Sequence, residues 1–336
     1  MMEGAYAYKL SDETDFTVRA GEVSSQWAGE GFLMVPFLHD EGQTVFIRGD
    51  RDIKLSEFPK PYISEDQEIG ISVNKDQHIS NVTKAISMLN PSEKVVISRV
   101  RTGEGSIDIP STLKALAEAY PNSMVYAVSA PECGTWIGAT PEILLSRQGR
   151  CLYTMALAGT RAATETGPWD EKNMEEHLLV YYDIIGHLKE YGLPIPYEHR
   201  PYSQPYGAIQ HLRTDISTCL PSTYPIERLK DLVYDLAPTP ALCGYPRSKA
   251  LKIIRNIENF NRSFYGGICG PIQESGDFSL YALLRSVEII ENGWRMIAGG
   301  GITTKSNPEE EWDETEKKVQ SIAKYLRFID NHPSYL

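Results

Sequence analysis

Phe264–Ile302 reads FYGGICGPIQESGDFSLYALLRSVEIIENGWRMIAGGGI, and this stretch decides the fold class. β-Branched and aromatic residues crowd Phe264–Cys269, Phe278–Ile290 and Trp294–Ala298, with turn-forming Gly, Asp and Asn between them, so three strands are expected. A helix closes the block, predicted from Pro308 to about Ile329. Asn307 is its N-cap, Pro308 takes the first helical position and Glu310 the third. Moving toward the N-terminus, strands are expected at Leu152–Ala156, Ile143–Arg147, Thr135–Gly138, Met124–Ser129 and Lys94–Val100. Shorter ones are expected at Thr44–Ile47 and Gly31–Phe37. Residues 75 to 90 have helical spacing. A long helix is predicted from Pro168 to Tyr191, apolar on most faces and therefore largely buried. Strands grouped with strands, and helices set apart from them, indicate an α+β fold with mainly antiparallel sheets.

The 336 residues suit one large domain or two ordinary ones, and no Gly/Ser linker, low-complexity segment or short repeat divides them. With 33 Lys and Arg against 45 Asp and Glu, the net charge is −12, which disfavours a nucleic-acid surface. An anionic substrate would therefore need local cations or a metal to reverse the field inside its site. The five cysteines are odd in number, widely spaced and without a Cys-x-x-Cys pair, so neither a disulfide framework nor a zinc ribbon is expected. The opening Met1–Tyr6 lacks the pattern of a secretory signal, and no run of eighteen apolar residues is present. A cytoplasmic location follows as the expectation.

Dinucleotide, Walker, zincin, nucleophile-elbow and kinase signatures are all missing from the sequence. His177, alone in a helix after Glu176, reads as structural. What stands out is a set of carboxylates and small-residue loops. Glu142 lies in Gly138-Ala139-Thr140-Pro141-Glu142, and Glu175 and Glu176 lie in the long helix. In the last helix Glu311, Glu314 and Lys318 fall within about 60° of one another, next to an apolar stripe of Trp312, Val319, Ile322, Leu326 and Ile329. Glu309 and Glu310 read instead as charges favoured by the helix dipole. The glycine clusters Gly266–Gly270 and Gly299–Gly301 permit close backbone approach to a ligand, and bulges or tight strand packing explain them equally well.

In order and spacing these segments resemble the chorismate-using enzymes: isochorismate synthases, salicylate synthases, and the anthranilate and aminodeoxychorismate synthases. The resemblance runs from Lys94 to Lys318. It includes Lys94-Val95-Val96-Ile97-Ser98-Arg99, Thr140-Pro141-Glu142, Leu157-Ala158-Gly159-Thr160-Arg161, Glu176-His177 and His211-Leu212. It continues through Pro238–Gly244, Tyr265-Gly266-Gly267, Arg285, Ala298–Ile302 and Glu311-Trp312-Asp313-Glu314-Thr315. The implied fold is a single domain over residues 1–336, with two antiparallel sheets packed as a sandwich among helices. Residues 1–90 form its variable part, and 91–330 form the core carrying a cleft between two halves.

By the same resemblance Lys94 is the general base and Glu142 the general acid. Glu176, Glu314 and Glu311 are the Mg²⁺ ligands. Gly159, Thr160, His211, Arg285, Gly299, Gly301 and Lys318 bind substrate. A base must be kept neutral and an acid protonated near the working pH, which burial supplies for both residue types. Lysine at position 94 resembles the members that add water, whereas those that add ammonia carry glutamine. Pro238–Gly244 resembles the isochorismate synthase version more than the salicylate synthase one. Ala237 departs from the histidine usual before Pro-Thr-Pro. The implied activity is Mg²⁺-dependent isomerisation of chorismate to isochorismate, with salicylate synthase as the first alternative and an aminating anthranilate or aminodeoxychorismate synthase, or a non-catalytic chorismate-binding protein, behind it. Neither a membrane nor an obligatory protein partner is expected.

Overall fold

The computed structural model describes residues 3–63, 72–194 and 196–329; Met1 and Met2, read above for a leader, lie outside these. Strands β1 (Glu3–Lys9), β2 (Thr17–Ser24), β3 (Gly31–Val35), β4 (Val45–Arg48) and β5 (Arg51–Asp52) precede helix α1 (Lys75–Met88). Strand β6 (Lys94–Glu104) and helix α2 (Ile109–Ala119) lead to β7 (Met124–Ala130), β8 (Gly134–Thr140), β9 (Ile143–Gln148) and β10 (Cys151–Ala162). Helix α3 (Glu171–Glu190) is followed by β11 (Tyr197–Glu198), β12 (Tyr202–Tyr206), β13 (Ile209–Cys219) and helix α4 (Ile226–Leu236). Next come β14 (Gly244–Tyr245), helix α5 (Arg247–Ile257), β15 (Ile268–Ile272), β16 (Phe278–Ala282), β17 (Ser286–Ile290), β18 (Gly293–Ile302) and helix α6 (Pro308–Ala323).

All the pairings described are antiparallel. One sheet runs β5-β2-β1-β7-β8-β17-β18-β6-β14. The other runs β2-β4-β3-β15-β16-β9-β10-β13, with β11 and β12 both on the outer edge of β13. Strand β2 serves both sheets. Successive side chains of a strand point to opposite faces, and β7 shows the consequence. Tyr126 and Val128 join Phe32, Met34 and Cys269 of the second sheet in the core between the sheets. Val125 and Ala127 face the other way, into a layer with Leu113 and Leu116 of α2 and Val319 and Ile322 of α6. Val180 and Ile184 of α3, with Leu229 and Val233 of α4, cover the second sheet at Leu145, Leu152 and Ile216. The result is the expected sandwich with helices on both outer faces.

Four details differ from the sequence expectation. Helix α3 buries only one stripe, Asn173, His177, Val180, Ile184 and Leu188, while Tyr182 is 63% exposed, because only one side of it meets a sheet. The last helix keeps its Asn307 cap, which accepts from the Glu309 N–H at 3.0 Å, yet it ends at Ala323. Beyond it the chain turns back so that Phe328 bridges to Ile107 and the Ile329 N–H reaches the Ser106 carbonyl, which leaves Ile329 outside the apolar stripe. Phe264–Gly267 is a turn, and the strand begins at Ile268. Phe278–Ile290 is two strands, broken at Leu283–Arg285 where the chain crosses from the second sheet to the first. No helix among the described residues is long and apolar enough to cross a membrane.

Candidate active site

The crossing at Leu283–Arg285 and an irregularity in β10 open into one cleft. Arg285 sits at φ +52°, a left-handed conformation a non-glycine residue adopts only when its surroundings enforce it. In β10 the register against β13 shifts between Ala158 and Thr160, and Gly159 takes φ +80° at the bulge. The cleft is lined from both sheets. Pro141, Glu142, Gly159, Thr160 and His211 face Arg285, Gly299, Gly301 and Lys318, with Glu176 of α3 at one side. Leu157, Ala241, Leu242, Tyr265 and Leu284 supply its apolar wall.

His211 and Arg285 form one unit. Burial, reinforced by the Arg285 charge, pushes the His211 pKa down to about 3, so the imidazole is neutral. Its Nε2 accepts from Arg285 Nη2 at 3.1 Å, which leaves the proton on Nδ1, donated to the Gly159 carbonyl at 3.0 Å. The guanidinium lies 5.1 Å from the centre of the Tyr206 ring. Its Nη1 is buried with no hydrogen-bond partner among the described residues, leaving a charged donor for a ligand anion. Opposite, Lys318 Nζ donates to the Gly299 carbonyl at 2.8 Å. A strand residue points its N–H and C=O to the same edge, so Gly299 and, two residues on, Gly301 direct backbone groups away from β6. Strand β17 covers that edge only as far as Met296.

Glu142, on the turn from β8 to β9, is 4% exposed. Burial raises its pKa to about 7, with Lys94, Arg285 and Lys318 pulling the other way. Lys94 opens β6, is 1% exposed and meets Glu176 Oε1 at 2.8 Å as an ion pair without an aligned hydrogen bond. Gly301 makes room for this pair: a Cβ there would stand 2.5 Å from Glu176 Oε1 and 2.7 Å from Lys94 Cε.

Of the other carboxylates, Glu311 is 1% exposed, accepts from Lys172 Nζ at 2.7 Å and from Ser306 Oγ at 2.8 Å, and keeps Oε2 buried without a partner. Burial, and then the like charge of Glu314, raise the Glu311 pKa to about 7. Burial opposes ionisation of Glu314 as well, but Lys318 at 2.6 Å wins and holds its pKa below the usual value. Arg99 fastens the helix that presents both, stacking 4.1 Å over Trp312 and donating to Thr315 Oγ1 at 2.7 Å.

No group of three or more His, Cys, Asp or Glu among the described residues is arranged to hold a metal ion. Glu176, Glu311 and Glu314 each turn to a different lysine. The donor chemistry nevertheless fits a hard divalent cation: all are carboxylates, and the buried Glu311 Oε2, with no hydrogen-bond partner among the described residues, faces Gly300, where a Cβ would come within 2.6 Å of it.

Nine of the twelve residues singled out from the sequence line this cleft; Lys94 and Glu314 meet it through their ion pairs with Glu176 and Lys318, while Glu311 pairs with Lys172 beside Gly300. Lys172 was missed. Its signal was present, since it precedes Glu176 by four positions in α3 and so shares its face. Tyr206 beneath Arg285 had no such signal, because only the fold brings β12 there. Glu175 and Glu309 lie on the surface, paired with Lys305 and Lys75. His177 donates to or accepts from Thr214 Oγ1 at 2.8 Å inside the core, a structural role.

Among solved structures, MenF, the menaquinone-specific isochorismate synthase from Escherichia coli, superposes with a TM-score of 0.77 at 20% identity, covering 96% of this chain and 89% of that one. Anthranilate synthase component I from Streptococcus pneumoniae gives 0.67 at 16%, over 96% and 92%. The fold is thus shared with enzymes bearing different names. In sequence, isochorismate synthase MenF of Bacillus subtilis is 31% identical over 291 residues, 81% of this chain and 60% of that protein. Isochorismate synthase EntC of Escherichia coli K12 is 31% identical over 242 residues, 68% and 61% respectively. The chain therefore spans about three fifths of the length of these two relatives. The model of the chorismate binding enzyme family matches residues 54–327, most of the chain, and the protein belongs to that family.

Proposed function

We propose that this protein converts chorismate to isochorismate, adding water at C2 and expelling the C4 hydroxyl as the ring double bonds shift. The observation that carries the reading is a cleft holding both a buried lysine and a carboxyl whose pKa stands at about 7. Expelling hydroxide from C4 is difficult unless the oxygen is protonated, and an acid poised near neutrality suits that task. Glu142 is the proton donor. Lys94, in ion-pair contact with Glu176, is the base toward the attacking water. Arg285, through the free Nη1, and the Gly299–Gly301 edge bind the enolpyruvyl carboxylate, assisted by Lys318. Thr160 and Gly159 flank the ring carboxylate, with His211 holding the bulge in shape.

Mg²⁺ held by Glu176, Glu311 and Glu314 would supply positive charge to the ring carboxylate in an otherwise acidic protein. Lysine at position 94 favours water over ammonia as the nucleophile. That the relatives MenF and EntC are isochorismate synthases supports isochorismate as product.

The test is incubation of purified protein with chorismate and Mg²⁺, followed by chromatographic resolution of the products. Isochorismate that disappears on adding EDTA is the expected result. Salicylate with pyruvate would move the protein to the lyase branch, and unchanged chorismate would sink the proposal.

A further inference from the structure

Cys151 and Cys219 are far apart in sequence, yet the fold sets them directly opposite each other where the β10–β13 ladder starts. The hydrogen-bond pattern determines which kind of pair they make. The Leu220 N–H donates to the Arg150 carbonyl at 2.7 Å, and Arg150 and Leu220 are the next opposed positions in the same register. Hydrogen-bonded and non-hydrogen-bonded pairs alternate in an antiparallel ladder, so Cys151 and Cys219 form a non-hydrogen-bonded pair. Such pairs bring Cα atoms to about 4.5 Å with side chains on one face, inside the span a disulfide bridges. Both residues are exposed, whereas Cys133, Cys243 and Cys269 are buried. The two thiols also sense each other: the Cys219 thiol holds the Cys151 pKa above its ordinary value.

We propose that Cys151 and Cys219 are a dithiol site that a small-molecule disulfide oxidises reversibly to an intrachain disulfide. The thiolate of one cysteine attacks a sulfur of the small disulfide, forming a mixed disulfide and releasing one thiolate. The second cysteine, deprotonated, attacks the protein sulfur of that mixed disulfide and releases the other thiolate. Two protein thiols are oxidised by two electrons, and the small disulfide is reduced to two thiols. The new bond staples the ends of the same two strands whose opposite ends carry Thr160 and His211. Gly159 lies eight positions along the strand from Cys151, roughly 26 Å at strand rise, so the expected consequence is resistance to unfolding with little change in turnover.

The experiment treats the folded full-length chain with oxidised glutathione, then reads intact mass, a non-reducing peptide digest and the melting temperature. Expected are a loss of about 2 Da, one cross-linked peptide pair containing Cys151 and Cys219, and a melting temperature raised by roughly 5 °C. Dithiothreitol should reverse all three. Cys151→Ser should instead stop at a glutathione adduct on Cys219, since no second thiol remains to resolve it. In the folded wild-type protein, two separate glutathione adducts, or two thiols that stay unreacted, would overturn the proposal.

Discussion

Two groups of carboxylates at or beside this cleft stand in different surroundings. Glu142 stands on a turn at the apolar wall, with no lysine among the described residues within ion-pair distance, and burial pushes it toward the neutral acid. Glu176, Glu311 and Glu314 come from two helices and each holds a lysine. The same side chain stands apart from lysine in one place and beside one in the other. What differs is the surroundings: Lys318 at 2.6 Å holds Glu314 below its usual pKa against burial, whereas burial and the Glu314 charge raise Glu311 to about 7 despite Lys172 at 2.7 Å.

The comparison breaks most sharply at Lys94, which links the two groups. Lys94→Ala should lower kcat by about 10³-fold or more while leaving the circular dichroism spectrum unchanged, as expected for loss of a general base. A variant with near-normal turnover would remove Lys94 from the chemistry.

Glu142→Gln keeps the shape and removes the proton. Turnover should fall by about 10²–10³-fold. In the parent protein kcat should decline as pH rises through about 7, because the acid form is lost. The sign for stability runs the opposite way to that of a salt-bridged carboxylate. A folded-state pKa raised above the unfolded one gives a contribution fully present at low pH and lost between about 4.5 and 7. The glutamine variant should therefore melt several degrees higher than the parent at pH 8 and nearly level with it at pH 4. Equal melting at both pH values would show that Glu142 ionises freely.

At the substrate end, Arg285→Lys retains a charge but not the planar fork, and it deprives His211 Nε2 of its donor. KM for chorismate should rise about 10–100-fold with a smaller change in kcat. A reversed split would place Arg285 in the chemical step.

The smallest effect belongs to Lys172→Met. Glu311 would lose its lysine but keep its neighbour Glu314, so the carboxylate pair would depend more on an added cation. The gain in melting temperature on adding Mg²⁺ over EDTA should grow by a few degrees relative to the parent. An unchanged gain would separate Glu311 from cation binding.

Much of this was legible in the chain. Strand and helix periodicity marks one buried face per element, and that local signal located α1, α6 and most strands. It failed where tertiary geometry cut across it. Phe278–Ile290 carries an unbroken apolar pattern, and nothing local shows that the chain changes sheets at Arg285. Nor does the α3 pattern show that only one sheet is present to cover it, which is why Tyr182 is exposed.

By itself the sequence determined the α+β class, the capped last helix and the residue types of the site, because periodicity, capping and motif order are properties of neighbouring residues. Only the tertiary structure decided which lysine meets which carboxylate, which nitrogen of His211 carries its proton, and that Cys151 lies opposite Cys219. Those outcomes depend on distances of a few ångströms between residues far apart in the chain. Ion pairing, desolvation and disulfide geometry all vary steeply over that range.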